Sequence, residues 1–264
     1  VTGKPLITHV HITEFDKTGG MHANPDVYRI EKEGMEHADL VVAVSEFIRQ
    51  RCIHNYFIDP SKIRVVHNAA TSMNESVLYD GGRLKEKDKI VLFAGRITLQ
   101  KGPDYFIEAA KMVLERDPNV TFIMAGSGDM LAPMIDKAAS LGISHKFIFP
   151  GFYNRDEAEK LFSMADVFVM PSVSEPFGVV PFEAQIKKTP TIISKQSGIS
   201  EVLNHCLKVD FWDVKDLAAK ILALVHYPTL NKSMAENGYH EAKSSNWGKP
   251  AQECINIYRE LSGA

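Results

Sequence analysis

From Lys89 onward the chain repeats one pattern: a short run of β-branched and aromatic residues, then a longer stretch with apolar residues at helical spacing. KIVLFAG, VTFIMAG, KFIFPG, DVFVMPS, PTIIS and LKVDF are the short runs, and a helical pattern follows each. Runs that are apolar throughout, rather than at every second position, belong to strands covered on both faces. Strands joined through helices run parallel, because each crossover returns the chain to the same end of the sheet. The expected fold is therefore α/β, an open doubly wound parallel sheet. Such a sheet binds ligands in the crevice beyond the C-terminal ends of its strands. Arg96, Gly126, Gly151 and Glu175 all fall just after strand ends, so one crevice can face all four.

Before this region lie three strand candidates, ITHVHI, DLVVAVS and IRVVH, within some 70 residues, which is short beside the ~100–150 of an independent domain. The polar stretch TSMNESVLYDGGRLKEKDK, with Gly81 and Gly82, is the best boundary candidate. Residues before it read as the tail of a larger α/β unit.

Composition narrows the function. At 264 residues, 45% hydrophobic and 24% charged, the chain can bury at least one full core. A net charge of -3 argues against a nucleic-acid partner, which calls for a basic excess. Cys52, Cys206 and Cys254 are odd in number and widely spaced, so they read as reduced packing residues rather than a disulfide framework or a metal site. No apolar run approaches the ~18 residues of a membrane span and no secretory leader opens the chain, which makes the cytoplasm the default compartment.

Two motifs carry chemistry. In SEPFGVVPFEA, Glu175 and Glu183 flank a turn on Pro176 and Gly178, with Glu175 before the following helix and Glu183 inside it. The first N–H groups of a helix are unpaired and carry partial positive charge, which suits a phosphate, while carboxylates accept hydrogen bonds from sugar hydroxyls. In FAGRITLQKG, Arg96 and Lys101 stand five apart in a loop. A guanidinium fork and a mobile ammonium can together neutralise a pyrophosphate, and Gly95 allows close approach of the backbone. Each motif by itself also fits something plainer: a capped surface helix with solvated glutamates, or a pair of solvated loop cations.

Taken in order, FAGRITLQKG, AGSGD and EPFGVVPFEA resemble the Gly-Arg plus Lys loop, the Gly-x-Gly-Asp turn and the paired-glutamate motif of the family 4 glycosyltransferases. The chain from about residue 60 is similar to their donor-binding half. HVHITEFDKTGG and HADLVVAVSEFIRQ resemble the end of the acceptor domain in glycogen synthase-like members, and SSNWGKPAQECINIYRELSGA resembles the family's closing helix. The resemblance implies a GT-B arrangement of Rossmann-like domains. Residues 1–69 would be the incomplete acceptor-side domain, 70–245 the donor-binding domain and 246–264 a helix returning to the first.

It also implies roles. His11 takes the position of the acceptor-domain histidine near the reacting centre, although His9 lies on the same face and a histidine at a strand end is often structural. Glu14 and Asp16 contact an acceptor or cap the next helix. Gly126, Ser127 and Gly128 form a turn that brings backbone to the nucleoside. Gly151, Phe152 and Tyr153 sit where backbone groups meet the base, and Tyr153 fits a surface aromatic equally well. In SKQSGISEVL, Ser197-Gly198 stands in place of the commoner Gly-Gly.

The implied reaction moves a hexose from a nucleotide diphosphate sugar of UDP- or ADP-glucose type to an acceptor hydroxyl, a glucan above all, with retention at the anomeric carbon. Arg96, Lys101 and the N–H groups around Gly178 and Val179 would stabilise the departing diphosphate, and Phe177 joins the donor contacts. Glu183 would hold the ribose and Glu175 the hexose hydroxyls. That division needs no metal and no cofactor beyond the sugar nucleotide. The alternatives are a sucrose-synthase-like or lipid- or polysaccharide-directed transferase, or a nucleotide-binding fragment without turnover.

Overall fold

A computed structural model describes residues 3–70 and 88–263. The proposed boundary stretch, Gly81 and Gly82 included, falls almost wholly outside the described residues.

The first part is a three-stranded parallel sheet, β1 (Ile7–Val10), β2 (Leu40–Ala43) and β3 (Ile63–Val65), in the order β1-β2-β3. A single turn α1 (Glu14–Lys17) and the helices α2 (Pro25–Glu36) and α3 (Glu46–Tyr56) connect them. The helix starts follow from local chemistry. Asn24 accepts from the Asp26 and Val27 N–H groups ahead of Pro25, and Ser45 accepts from the Ile48 N–H at 3.1 Å.

The second part is the expected doubly wound sheet. Its strands are β4 (Lys89–Ala94), β5 (Val120–Ala125), β6 (Phe147–Gly151), β7 (Val167–Met170), β8 (Thr191–Ser194) and β9 (Leu207–Val209). Between and after them run α4 (Pro103–Leu114), α5 (Leu131–Ser140), α6 (Arg155–Met164), α7 (Val180–Ile186), α8 (Val214–His226), α9 (Pro228–Ser244) and α10 (Gly248–Ser262). Every residue of β5, β7 and β8 is buried, as the unbroken apolar runs require. One expected helix is replaced: only the short turn Gly198–Glu201 lies between β8 and β9. These strands are neighbours, so the crossover spans a single strand spacing.

The strand order is β6-β5-β4-β7-β8-β9, all parallel. The chain enters at β4, winds outward to β6, then returns to β7 on the other side of β4 and winds outward again. The order reverses between β4 and β7, and a crevice opens at their C-terminal ends for that reason.

Phe106, Phe122, Phe147, Leu217 and Ile221 fill the core on one face of the large sheet. On the other face, Phe162, Phe168, Phe182 and Ile199 share a continuous core with Val41, Ile48 and Tyr56 of the smaller part. Alternation along β2 explains how both its faces are covered. Val41 and Ala43 enter the shared core, whereas Leu40 and Val42 pack with Val66 against Ile257, Cys254 and Leu261 of α10. Cys52, Cys206 and Cys254 are free thiols, and burial pushes Cys52 and Cys206 up to about 12. Among the described residues no helix is long and apolar enough to cross a membrane.

Candidate functional site

At the switch point the loops after β4, β5 and β6 are stitched by their backbones into one floor. The Gly95 N–H donates to Ala125 O at 3.0 Å, the Ile97 N–H to Ser127 O at 2.9 Å and the Gly126 N–H to Gly151 O at 2.8 Å. Gly126, at φ +138°, and Gly128 are required by that packing. A Cβ at the first would overlap the Gly95 carbonyl oxygen, and at the second the Ile97 carbonyl oxygen. The expected nucleoside turn therefore has a structural duty of its own. Gly151, at φ +81°, faces open space. Phe152 is exposed beside it, and Tyr153 is half-buried. Burial, reinforced by the Glu183 charge, pushes the Tyr153 phenol up to about 12.

A cavity of about 160 Å³ opens at the ends of β4 and β7, lined by Ala94, Gly95, Arg96, Lys101, Met170 and Val180. Lys101 ends the turn Leu99–Lys101, and its Nζ donates to Glu175 Oε2 in an ion pair. Glu175 is 6% exposed and is held from both sides of its own peptide. Its N–H donates to Gln196 O at 3.0 Å, and its carbonyl accepts from the Gly198 N–H at 2.9 Å. A Cβ at Gly198 would overlap the Pro176 carbonyl oxygen and come within 2.5 Å of Ser45 Cβ. Ser197, by contrast, tucks its hydroxyl onto Ser194 O at 2.7 Å. The second position of Ser197-Gly198 thus has to be glycine and the first does not.

Gly178, at φ +89°, lies against the Glu175 side chain, where a Cβ would stand 2.8 Å from Glu175 Cγ. Val179 precedes α7, where Pro181 has no N–H and the Phe182 and Glu183 N–H groups turn back to Val179 O at 3.0 and 3.4 Å. Phe177, named among the donor contacts, has its ring 2% exposed, packed in the core near His67 and Phe182. It can offer a ligand only backbone, and its carbonyl already accepts from the Ile199 N–H at 2.8 Å. Glu183 is half-buried, and burial raises its carboxyl above the ordinary value, with the Arg155 guanidinium working in the other direction.

His11 is exposed just beyond β1, its ring 6.2 Å from that of His9. Burial, and then the His11 charge, lower the His9 pKa. Among the described residues no hydrogen bond joins His11 to Arg96, Lys101 or Glu175. The segment that follows it is nevertheless fixed against the Glu175 loop. Asp16 is fully buried and accepts from the Thr13 N–H at 2.7 Å, the Thr13 hydroxyl at 2.8 Å, Arg51 Nη1 at 2.9 Å and the Ser174 hydroxyl at 2.8 Å. Of the two roles open to Asp16, the structure gives the cap, extended into a tie between the two sheets. Glu14 pairs with Lys17 at 2.8 Å.

A second tie carries no motif in the sequence. Glu201 accepts from the Glu46 and Phe47 N–H groups at the start of α3 and pairs with His67 Nε2 at 2.8 Å. Burial alone would raise the Glu201 carboxyl. The hydrogen bonds from His67, Glu46 and Phe47 outweigh that and hold it below its ordinary value.

The fold and its switch-point cavity define the class, a doubly wound α/β protein with a cationic loop in the crevice where such sheets bind ligands. Residues 80–241 match the Glycosyl transferases group 1 family and residues 1–71 match Glycosyltransferase Family 4, and the chain belongs to the group 1 glycosyltransferases. An uncharacterized glycosyltransferase of Methanocaldococcus jannaschii is 30% identical over 271 residues, 97% of this chain and 69% of its own length. The D-inositol 3-phosphate glycosyltransferase of Rhodococcus jostii is 28% identical, over 97% of this chain and 61% of that enzyme. The mannosylfructose-phosphate synthase of Agrobacterium fabrum is 28% identical over 64% of this chain, and the match spans 40% of that enzyme. Among solved structures, Anabaena HepE in complex with UDP and glucose has a TM-score of 0.80 at 20% identity, over 98% of this chain and 72% of that one. Sucrose-phosphate synthase from Thermosynechococcus elongatus has a TM-score of 0.78 at 22% identity, over 97% and 68%. These likenesses show the GT-B fold with its Rossmann-like domains.

Proposed function

We propose that the chain forms the donor site of a retaining, metal-independent hexosyltransferase that uses a UDP- or ADP-glucose type donor and a carbohydrate acceptor, most like the glycogen or starch synthase branch. The observation that carries this reading is the Lys101–Glu175 pair at the mouth of the switch-point cavity, with Arg96 on the same wall. A buried carboxylate and ammonium neutralise each other while no donor is bound. An incoming diphosphate offers Lys101 a doubly charged partner, which releases Glu175 to accept hydrogen bonds from the hexose hydroxyls. As the glycosidic bond breaks, charge grows on the diphosphate, and Lys101, Arg96 and the N–H groups of Gly178 and Val179 stabilise it. Glu175, close to the anomeric carbon, supports the positive charge developing there, and His11 faces the acceptor side. A second reading, transfer to a phosphorylated polyol or sugar, is favoured by the Rhodococcus relative, whose name gives D-inositol 3-phosphate as its acceptor.

Because the diphosphate charge is assigned to protein cations, binding of UDP or ADP is expected to survive chelation. Calorimetry in excess EDTA checks this, and binding lost with EDTA but restored by Mg²⁺ would overturn the assignment.

The two glutamates are expected to separate. Glu183→Ala weakens free nucleotide by roughly ten- to hundred-fold, the worth of about 1.5–3 kcal/mol for a charged hydrogen bond. Glu175→Ala does not weaken free nucleotide, because it removes only the carboxylate that competes for Lys101, and it impairs the sugar-bearing donor. Equal effects of both variants on free UDP would remove the division of roles.

A further inference from the structure

Trp212 is 59% exposed on the loop that leaves β9. It belongs to a chain of rings. Trp212 meets Phe211 edge-on with centroids 4.8 Å apart, and Phe211 meets Tyr105 in the same way at 5.2 Å. Both inner members are anchored beside the Lys101–Glu175 pair. Tyr105 Cδ2 stands 3.2 Å from where a Cβ on Gly102 would be, one residue after Lys101. The Phe211 N–H donates to Gln196 Oε1 at 3.4 Å, and the Gln196 carbonyl accepts from the Glu175 N–H at 3.0 Å. Gln196 Nε2 donates to Asp210 Oδ1 at 3.0 Å, and Lys195 pairs with Asp210 at 2.7 Å, so the turn before the two rings is fixed to the Glu175 peptide.

We propose that Tyr105, Phe211 and Trp212 form a saccharide subsite, on which a pyranose ring of an oligosaccharide acceptor stacks beside the transfer site. This rests on the reading of Lys101 and Glu175 as the donor-sugar site. The C–H face of a pyranose is flat, apolar and close to an indole in size, while its hydroxyl rim needs polar neighbours. The shelf offers an exposed ring, on a turn whose Asp210 is bonded to the polar side chains of Lys195 and Gln196. A protein partner would need far more continuous apolar area, since stable interfaces bury about 1,200–2,000 Å² in total. Here Trp212 is the one ring of the three that is exposed. Stacking on a rigid aromatic loses little conformational freedom, and it would hold an acceptor chain while its end reaches the anomeric carbon.

The chain has two tryptophans, so a Trp247→Phe background leaves Trp212 as the sole indole reporter. Its emission is titrated with malto-, manno- and chito-oligosaccharides of one to six units. At least one series is expected to saturate the signal, with affinity rising with chain length. In the otherwise native chain, Trp212→Ala is expected to weaken binding of that oligosaccharide by ~ten-fold or more, read by calorimetry, and to leave UDP affinity unchanged. No response in any series, or oligosaccharide affinity untouched by Trp212→Ala, overturns the subsite. Loss of UDP binding in the unmodified chain overturns the donor reading instead, because the fluorescence titration does not depend on nucleotide.

Discussion

Lys101→Ala is expected to lower sugar transfer by about a hundred- to a thousand-fold, the usual cost of removing one preorganised donor aimed at developing charge. The loss falls on transfer more than on substrate binding, because the diphosphate is more strongly charged in the transition state than in the bound donor. The variant is also expected to be less stable. Glu175 is 6% exposed and has Lys101 as its ion-pair partner, so removing the ammonium strands a buried carboxylate, which costs roughly 3–5 kcal/mol. The two effects can be separated. Lys101→Ala combined with Glu175→Gln should regain much of the lost melting temperature, since no charge is then stranded, and should regain no transfer. Single-variant activity within ten-fold of the unmodified chain would sink the role given to Lys101.

Gly126→Ala is expected to destabilise the chain by roughly 4 kcal/mol or more, the range reserved for a steric conflict that the surroundings cannot relax. The new Cβ would overlap the Gly95 carbonyl oxygen, and the residue would also be held at φ +138°, so both the β4 and β5 loops must move. Gly151→Ala is the control. It too has a positive φ, +81°, but no heavy atom lies within 4 Å of its Cβ, so only the backbone strain of about 1–2 kcal/mol applies. Denaturant unfolding of both variants checks the contrast. Equal losses would mean that the floor of the site is not held by backbone contact. In a chain of this size each kcal/mol moves the melting temperature by about 2–4 °C, so the two variants are readily told apart.

Much of the fold was legible because its signals are local. Unbroken apolar runs mark strands covered on both faces, and crossover helices make them parallel. Asp16 was readable as a helix cap, and the structure adds Thr13 as its partner in a capping box. Arg96, Lys101 and Glu175 are visible as charged residues in loops just after strands. Where the Phe177 ring lies was not legible: only the packing with Phe182 and His67 shows that it is inside. Glu201 gave no signal, because what it caps is the start of α3, whose Glu46 lies 155 residues away in the chain.

By itself, then, the sequence determined the strands, their parallel direction and the end of the sheet at which polar loops collect, since each follows from residues close together in the chain. Tertiary structure alone decided the order β6-β5-β4-β7-β8-β9, and with it which loops meet. That order puts β4 beside β7, and so Lys101 against Glu175 across 74 residues of sequence. It also turned Asp16 from a local cap into a bond to Ser174, and Gln196 into the link between Glu175 and Phe211. The physical reason is the same in each case. Ion pairs and hydrogen bonds act over a few ångströms, and which distant residues come that close depends on how whole elements bury their apolar faces.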